Sequence, residues 1–476
     1  MNRSLSARAG LFGVVTLAAA AACDHSGTTV TTPTGPGPFG TSPAITATTQ
    51  LSNLSGPVDV VRDQNGLVHI WATSSLDALR VEGYQIAKDR TAQLELIRRS
   101  AEGKLAELLG DTQPGLIDQD IAMRMIGLGR VAQQMYDALP AGSEAKADVD
   151  AYADGISQFN ARLQSGDEEL PRSMIGLSTS AFVPWTGADC VAIARFEEWN
   201  LAYTADAEIG LTNFVQAARS VFASTPRSGL LVDLVRFAPL DPTLSMPGGF
   251  PDDPMHTMSL LAPGLSPAAP AGHAGRRLPT PAVPRAVLDD ASGFAQAVTA
   301  GRDRLGKLGF RGSNDWIVAP SRTATGHAML ANDPHLSLSA PSVFWMVQID
   351  AHDPSAADTS QDVHVEGTAF PGIPGIILGF NQHVAWGATT ADYDVTDVYS
   401  ETLTADGSGV VFQGQNVPFK TVTETIAIAG SAPLQYDVLV VPQHGPIVPT
   451  IVNHAVVPPD PKKGALSVAW TGSKPT

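Results

Sequence analysis

Apolar and polar residues alternate in Val58-Asp59-Val60-Val61 and again in Leu67-Val68-His69-Ile70, with Asn65-Gly66 between them, the pattern of a hairpin. From Ser75, an N-cap, the period becomes helical: Leu76, Leu79, Gly83 and Ile86 form a stripe. Leu94, Ile97, Ala101, Leu105 and Leu108 continue it to Gly110, a C-cap. On the same helix Asp89, Arg90, Glu95, Arg98 and Arg99 read as a solvated face with helix ion pairs. Helices are expected to continue over 117–165 and 190–213, the second opened by Phe182-Val183-Pro184-Trp185-Thr186 and carrying Glu197, Glu198 and Glu208. Pro, Gly and Ala cluster over 240–286, which reads as a spacer, and a short helix over 287–308 leads to Gly312.

After Gly312 strands dominate. Two apolar runs flank the polar loop Ser321-Arg322-Thr323-Ala324-Thr325-Gly326-His327. A hairpin tip at Ala324 pairs residues whose numbers sum to 648, which sets Ser313 opposite His335. Strands are expected over 343–351, 364–370, 373–380 and 383–390, with Asn381-Gln382 as a two-residue turn, and then in succession to Trp470. Helices first and strands later make an α+β chain.

Length and composition, 476 residues at 43% hydrophobic, allow one large core or two to three domains. The balance of 30 Lys+Arg against 47 Asp+Glu, −17 net, argues against a nucleic-acid partner and suits an exported enzyme or the binding of hard cations. Two cysteines make no disulfide framework, and Cys190, among Ala, Val and Ile, reads as a buried thiol. Arg3, Arg8 and an apolar core from Leu11 to Ala22 read as an export signal. Ala20-Ala21-Ala22-Cys23 resembles a bacterial lipobox, which implies a lipid on Cys23 tying a periplasmic or cell-surface protein to a membrane; the alternative is an ordinary signal cut near Ala22. Residues 24–50, rich in Thr, Pro, Gly and Ser, are a tether, and the G-x-G-x-x-G match at Gly35–Gly40 has neither the strand nor the helix a nucleotide site needs.

No G-x-S-x-G, H-E-x-x-H or Walker A sequence occurs. Ser313 therefore needs a base from elsewhere: His335 or His383 in a conventional Ser–His–Asp arrangement, with the Gly312–Ser313 bond intact.

Gly312-Ser313-Asn314, then Trp316, Ala319-Pro320-Ser321-Arg322-Thr323, Gly326 and Ala331-Asn332-Asp333-Pro334-His335-Leu336 resemble the start of the β subunit in the penicillin acylase family. Asp63-Gln64-Asn65-Gly66-Leu67-Val68-His69-Ile70 and Lys88-Asp89-Arg90-Thr91-Ala92-Gln93-Leu94-Glu95 resemble its α subunit. The resemblance implies a four-layer α-β-β-α N-terminal nucleophile hydrolase, a precursor that cuts itself between Gly312 and Ser313 into α and β fragments. The segments follow: signal and lipobox 1–23, tether 24–50, α-like 51–239, spacer 240–312, β-like 313–476.

In that family an N-terminal Ser uses its own α-amine, with a pKa of ~7.7–8.0, as base. The resemblance makes Ser313 the nucleophile toward a small acyl amide of penicillin, cephalosporin or N-acyl-homoserine-lactone type. It puts a backbone oxyanion donor at Thr390 and at His335 a side chain that orients the amine. Trp199, Leu201 and Ala202 fall on the acyl-pocket helix. Glu208, Asp394, the carbonyl of Thr396 and Asp397 fall on the ligands of a structural Ca²⁺, hard oxygen donors of the kind that ion takes. The stretch carrying the family's oxyanion Asn and an Arg has no counterpart here, so the chain is expected to be truncated at its C-terminus. The alternative reading is an inactive surface lipoprotein that keeps the fold for binding.

Overall fold

The structure is a computed structural model and describes residues 44–174, 176–222, 283–304, 312–336, 339–353, 355, 362–389 and 394–475. The signal, Cys23, most of the tether and most of the spacer lie outside the described residues.

β1 (Asp59–Arg62) and β2 (Val68–Ala72) form the expected hairpin, with Val61 opposite His69. The Asp63 carboxylate closes the turn by accepting from the N–H groups of Asn65 and Leu67, both at 2.9 Å. α1 (Ser75–Glu102) starts one residue earlier in its cap than expected, since Ser74 accepts from the Asp77 N–H. Gly103, at φ 62°, ends it, and α2 (Leu105–Leu109) completes the stripe up to Gly110. α3 (Leu116–Ile126), α4 (Leu128–Ala138) and α5 (Glu144–Ser165) follow. The single helix expected over 190–213 is two, α6 (Gly187–Ala202) and α7 (Ala205–Phe222). Tyr203 between them is extended and turns its ring into the core between Trp199 and Trp470. α8 (Arg285–Arg304) precedes Gly312.

α1 is the hub of the helical layer, packed on α5 and α6 and, across its other side, on β2. α1 and α5 cross at backbone contact: a Cβ on Gly83 would come within 2.1 Å of the Tyr152 carbonyl oxygen, and one on Gly155 within 1.9 Å of that of Arg80. Because most of α1 is enclosed, its charged face is solvated only in part: Asp89 is exposed and Arg90 half-buried. Glu95, Arg98 and Arg99 are buried, with the Glu95 carboxylate accepting from Arg98 at 2.7 Å and from Arg99 at 2.6 Å. Arg98 also lies over the Trp185 ring, and Arg99 donates to the Ala181 carbonyl. Asp89 is a junction, holding Arg62 of β1 through two hydrogen bonds and accepting from Trp345 Nε1.

The strands after Gly312 are β3 (Ser313–Val318), β4 (Met329–Pro334), β5 (Trp345–Ala351), β6 (Val363–Ala369), β7 (Leu378–Phe380), β8 (Ala385–Trp386) and β9 (Thr396–Glu401). Then come β10 (Gly409–Phe412), β11 (Gln415–Pro418), β12 (Lys420–Ile426), β13 (Leu434–Val441) and β14 (Gly445–Pro446). β15 (Thr450–Val452), β16 (Ala455–Val457) and β17 (Ala465–Trp470) end the series. One sheet has the order β1-β2-β5-β6-β7-β8, with β2 and β5 parallel and the other pairs antiparallel. Its Val68, Ile70, Val347, Ile349 and Ala369 face is buried toward α1, while His69, Gln348, Asp350 and His364 lie half-buried on the other. The remaining strands pair as β3–β4, β9–β17, β10–β11, β12–β13–β14 and β15–β16. β7 and β8 meet through a loop over 381–384 whose ends are joined by the Asn381 N–H and the Val384 carbonyl, wider than the two-residue turn expected.

Candidate active site

The β3–β4 hairpin carries Ser313, and its register differs by one from the expected register. Ser313 lies opposite Pro334, Asp315 opposite Asn332 and Val318 opposite Met329, so paired numbers sum to 647. The cause is the loop: Pro320–Arg322 form a 3₁₀ turn, and the Thr323 hydroxyl reaches the carbonyls of Pro320 and His327, closing ten residues symmetrically about the 323–324 bond. A one-residue slip moves a side chain to the other face of a ladder. Ser313 and His335 are therefore not cross-strand partners. His335 turns back to Asp333, with Nε2 at 3.3 Å from the carboxylate, and is 46% exposed. Its backbone N–H instead donates to the Gly312 carbonyl at 2.9 Å.

Gly312 has φ 127°, and a Cβ there would touch nothing within 4 Å. Glycine is needed for the backbone angle, not for space. On the half-buried face Ser313 shares the ladder with Asp315, whose Oδ1 is buried without a hydrogen-bond partner, and with Asn332. Asn332 fastens a second segment here: its amide donates to the carbonyls of Asn314 (3.1 Å) and Ala388 (3.0 Å), and its Oδ1 accepts from the Ala388 N–H (3.2 Å). A Cβ on Gly387 would sit 2.7 Å from Asn332, so the approach requires glycine. Thr389 then donates its hydroxyl to the Ser313 carbonyl at 3.0 Å. Thr390 lies outside the described residues. The part played by Asn332 was missed; an Asn alternating with Leu330 on an inward face was the available signal.

The other candidates divide. Glu208 of α7 faces Asp394 and Asp397: burial, then the negative charge of those two carboxylates, raises its carboxyl above the ordinary range, against the Thr204 hydroxyl and the Val398 N–H. Thr396 is buried beside them, its hydroxyl between Thr204 and Ala202. Among the described residues no three His, Cys, Asp or Glu side chains meet closely enough to hold an ion by themselves. Trp199 is 1% exposed, packed by Phe196, Tyr203 and Arg302, so it is core; Leu201, one helical face away, is 38% exposed. Ala202, between them in exposure, is half-buried. A cavity of about 240 Å³ is walled by Glu102, Lys104, Arg124, Arg130 and Glu424, none of them a candidate. Cys190 is buried as expected, which pushes its thiol well up.

The penicillin amidase family model matches residues 57–476. The chain belongs to the penicillin amidase family. Among curated members, an acyl-homoserine lactone acylase QuiP of Pseudomonas aeruginosa is 28% identical over 434 residues, covering 90% of this chain and 44% of that protein. The penicillin acylase 2 proenzyme of a Pseudomonas species is 30% identical, covering 85% of this chain and 45% of the relative. The penicillin G acylase of Escherichia coli is 25% identical, at 79% and 44%. The chain thus spans under half the length of these relatives. A thermostable penicillin G acylase structure from Alcaligenes faecalis aligns at TM-score 0.33 and 22% identity, over 41% of this chain and 97% of that one. Among the described residues no helix is long and apolar enough to cross a membrane.

Proposed function

We propose that this penicillin amidase family chain carries the nucleophile of a self-processing amidohydrolase. In the first step Ser313 Oγ attacks the Gly312 carbonyl, the acyl group shifts from nitrogen to oxygen, and water cleaves the ester, leaving a Gly312 carboxylate and a free Ser313 amine. In turnover Oγ attacks the substrate amide while the α-amine takes its proton and passes it to the leaving amine; water then releases the acid from the acyl-Ser313 ester. The substrate is an acyl amide of penicillin, cephalosporin or N-acyl-homoserine-lactone type. The observation that carries the reading is the Gly312 carbonyl, which sits at a glycine-specific backbone angle and accepts the His335 N–H at 2.9 Å. That hydrogen bond polarises the bond to be cut and stabilises the oxyanion formed on it.

The Thr390 N–H is the proposed donor to the substrate oxyanion, supported by its neighbour Thr389 on the Ser313 carbonyl. An imidazole role for His335 toward the Ser313 amine needs a side-chain position different from the one facing Asp333. The four-layer sandwich, export and a lipid on Cys23 belong to the same proposal. The intact mass of purified protein beside Ser313→Ala tests it. Two fragments are expected, one beginning at Ser313, and neither in the variant; the cut protein should hydrolyse a chromogenic phenylacetyl or fatty-acyl amide. A single uncut wild-type chain would overturn the reading and favour the non-catalytic one.

The acidic trio of Glu208, Asp394 and Asp397 is not gathered tightly enough among the described residues to hold an ion by itself, but the charge of the two Asp carboxylates on a half-buried Glu208 favours a hard cation that would draw them together. Glu208, Asp394, Asp397 and the Thr396 carbonyl would hold Ca²⁺, with water completing the shell, and the ion would tie α7 to β9. Chelation is expected to lower the melting temperature and Ca²⁺ to restore it, by about 2.7 kcal/mol at a hundredfold excess over Kd. Glu208→Gln should abolish the response; a melting curve indifferent to chelator would remove calcium from the account.

A further inference from the structure

The open face of the six-stranded sheet carries two histidines that nothing above uses. His364 of β6 lies across the ladder from Asp350 of β5, with Nδ1 at 3.0 Å from its carboxylate. One step along the same register, His352 meets Asp362, Nδ1 to carboxylate 2.6 Å. The His352 N–H donates to the Ala72 carbonyl, which fixes the end of β5 against β2. The two rings are 6.4 Å apart centre to centre and inclined at 36°. His352 is 44% exposed and His364 31%.

A carboxylate can only accept, so each Nδ1–H donates to its Asp, and in a neutral ring so held the lone pair is on Nε2. A carboxylate behind the imidazole is the arrangement that orients metal-binding histidines and makes them better donors. Two such rings on one face of a hairpin, backed by two negative charges, are matched to a divalent ion that prefers nitrogen. We propose that His352 and His364 form a two-histidine site for a late first-row divalent cation such as Zn²⁺, with Asp350 and Asp362 as positioning residues. Among the described residues no group of three or more His, Cys, Asp or Glu is placed to hold an ion, so the two imidazoles would be its protein ligands, with water in the other positions and the ion exchangeable. The site is distinct in chemistry from the acidic trio, since imidazole suits Zn²⁺ and carboxylate suits Ca²⁺.

The test is calorimetric titration of the full chain with ZnCl₂ at pH 7.5 in excess Ca²⁺. One Zn²⁺ equivalent is expected, lost in His352→Gln and equally in His364→Gln. Asp350→Asn and Asp362→Asn should each weaken it about 10- to 100-fold, and Glu208→Gln should leave it intact. Circular dichroism checks that each variant is folded; should a histidine variant not fold, the two Asn variants decide. Absence of Zn²⁺ uptake by the wild type, uptake that survives either histidine substitution, or Asn variants that bind unchanged would each overturn the site.

Discussion

Glu95→Ala is expected to cost about 3–5 kcal/mol, the usual effect of removing one partner from a buried ion cluster. Glu95 is 1% exposed, and its carboxylate is shared by Arg98 and Arg99. Without it Arg99 keeps the Ala181 carbonyl at 3.0 Å and a looser contact with Glu107 at 3.6 Å, whereas Arg98 keeps Asp189 at 4.0 Å, the more distant charge of Glu102 and the Trp185 face. Two guanidinium groups would remain in the core with one strong acceptor between them. Against a typical total of about 5–15 kcal/mol, that loss should lower the melting temperature by many degrees. Glu95→Gln, which keeps the volume and one acceptor oxygen, should cost less. A Glu95→Ala protein melting within a degree of the wild type would show that water reaches these groups.

The same cluster shows where sequence reasoning stopped. The α1 stripe and the β1–β2 turn were legible because both are local: apolar spacing and one Asn-Gly dipeptide settle them. Whether Arg98 faces water or Trp185 depends on α5 and α6 packing over it, which residues 75–102 do not encode. The Ser313 hairpin was legible as a hairpin, but its register hung on Pro320–Arg322 folding as a 3₁₀ turn, and parity decides which side chains share a face. Asp394 and Asp397 were linked to Glu208 by resemblance alone, and of that link the fold carries the effect of their charges on the Glu208 carboxyl. The depth at which Trp199 is buried was not legible, because helix spacing alone does not fix how far a residue sits from the surface.

Stability should fall as pH rises from about 5 to 8. Glu82 is fully buried, which pushes its carboxyl up to about 8 against the single pull of the Gly375 N–H at 3.1 Å. Burial likewise raises Asp120 and Glu197 to about 7. With folded values above the unfolded ones, the stabilisation is complete below the ordinary carboxylate range, where both states hold the proton. It drains away as the unfolded chain ionises first, at up to about 1.4 kcal/mol per pH unit for each group. The loss levels off once the folded carboxyls ionise too. Glu82→Gln removes that group's share: the variant should match the wild type near pH 4.5 and be more stable at pH 8 by about 3 kcal/mol or more. Urea melts at the two pH values test this, and parallel profiles for the two proteins would mean that Glu82 is charged in the fold.

β2 and β5 lie side by side in one sheet although the Gly312–Ser313 bond separates them along the chain. Asp89 joins Arg62 to Trp345, and Glu424 of β12 is gripped by Arg124 and Arg130. A cut at that bond would therefore release no piece; it would turn a monomer into an interlocked heterodimer with an unchanged interior. Refolding would change order, from a unimolecular event to an encounter between two partners. The melting point of the cut form would climb with protein concentration while that of the uncut form stayed fixed. Dilution, harmless to the precursor, would become a denaturant for its product.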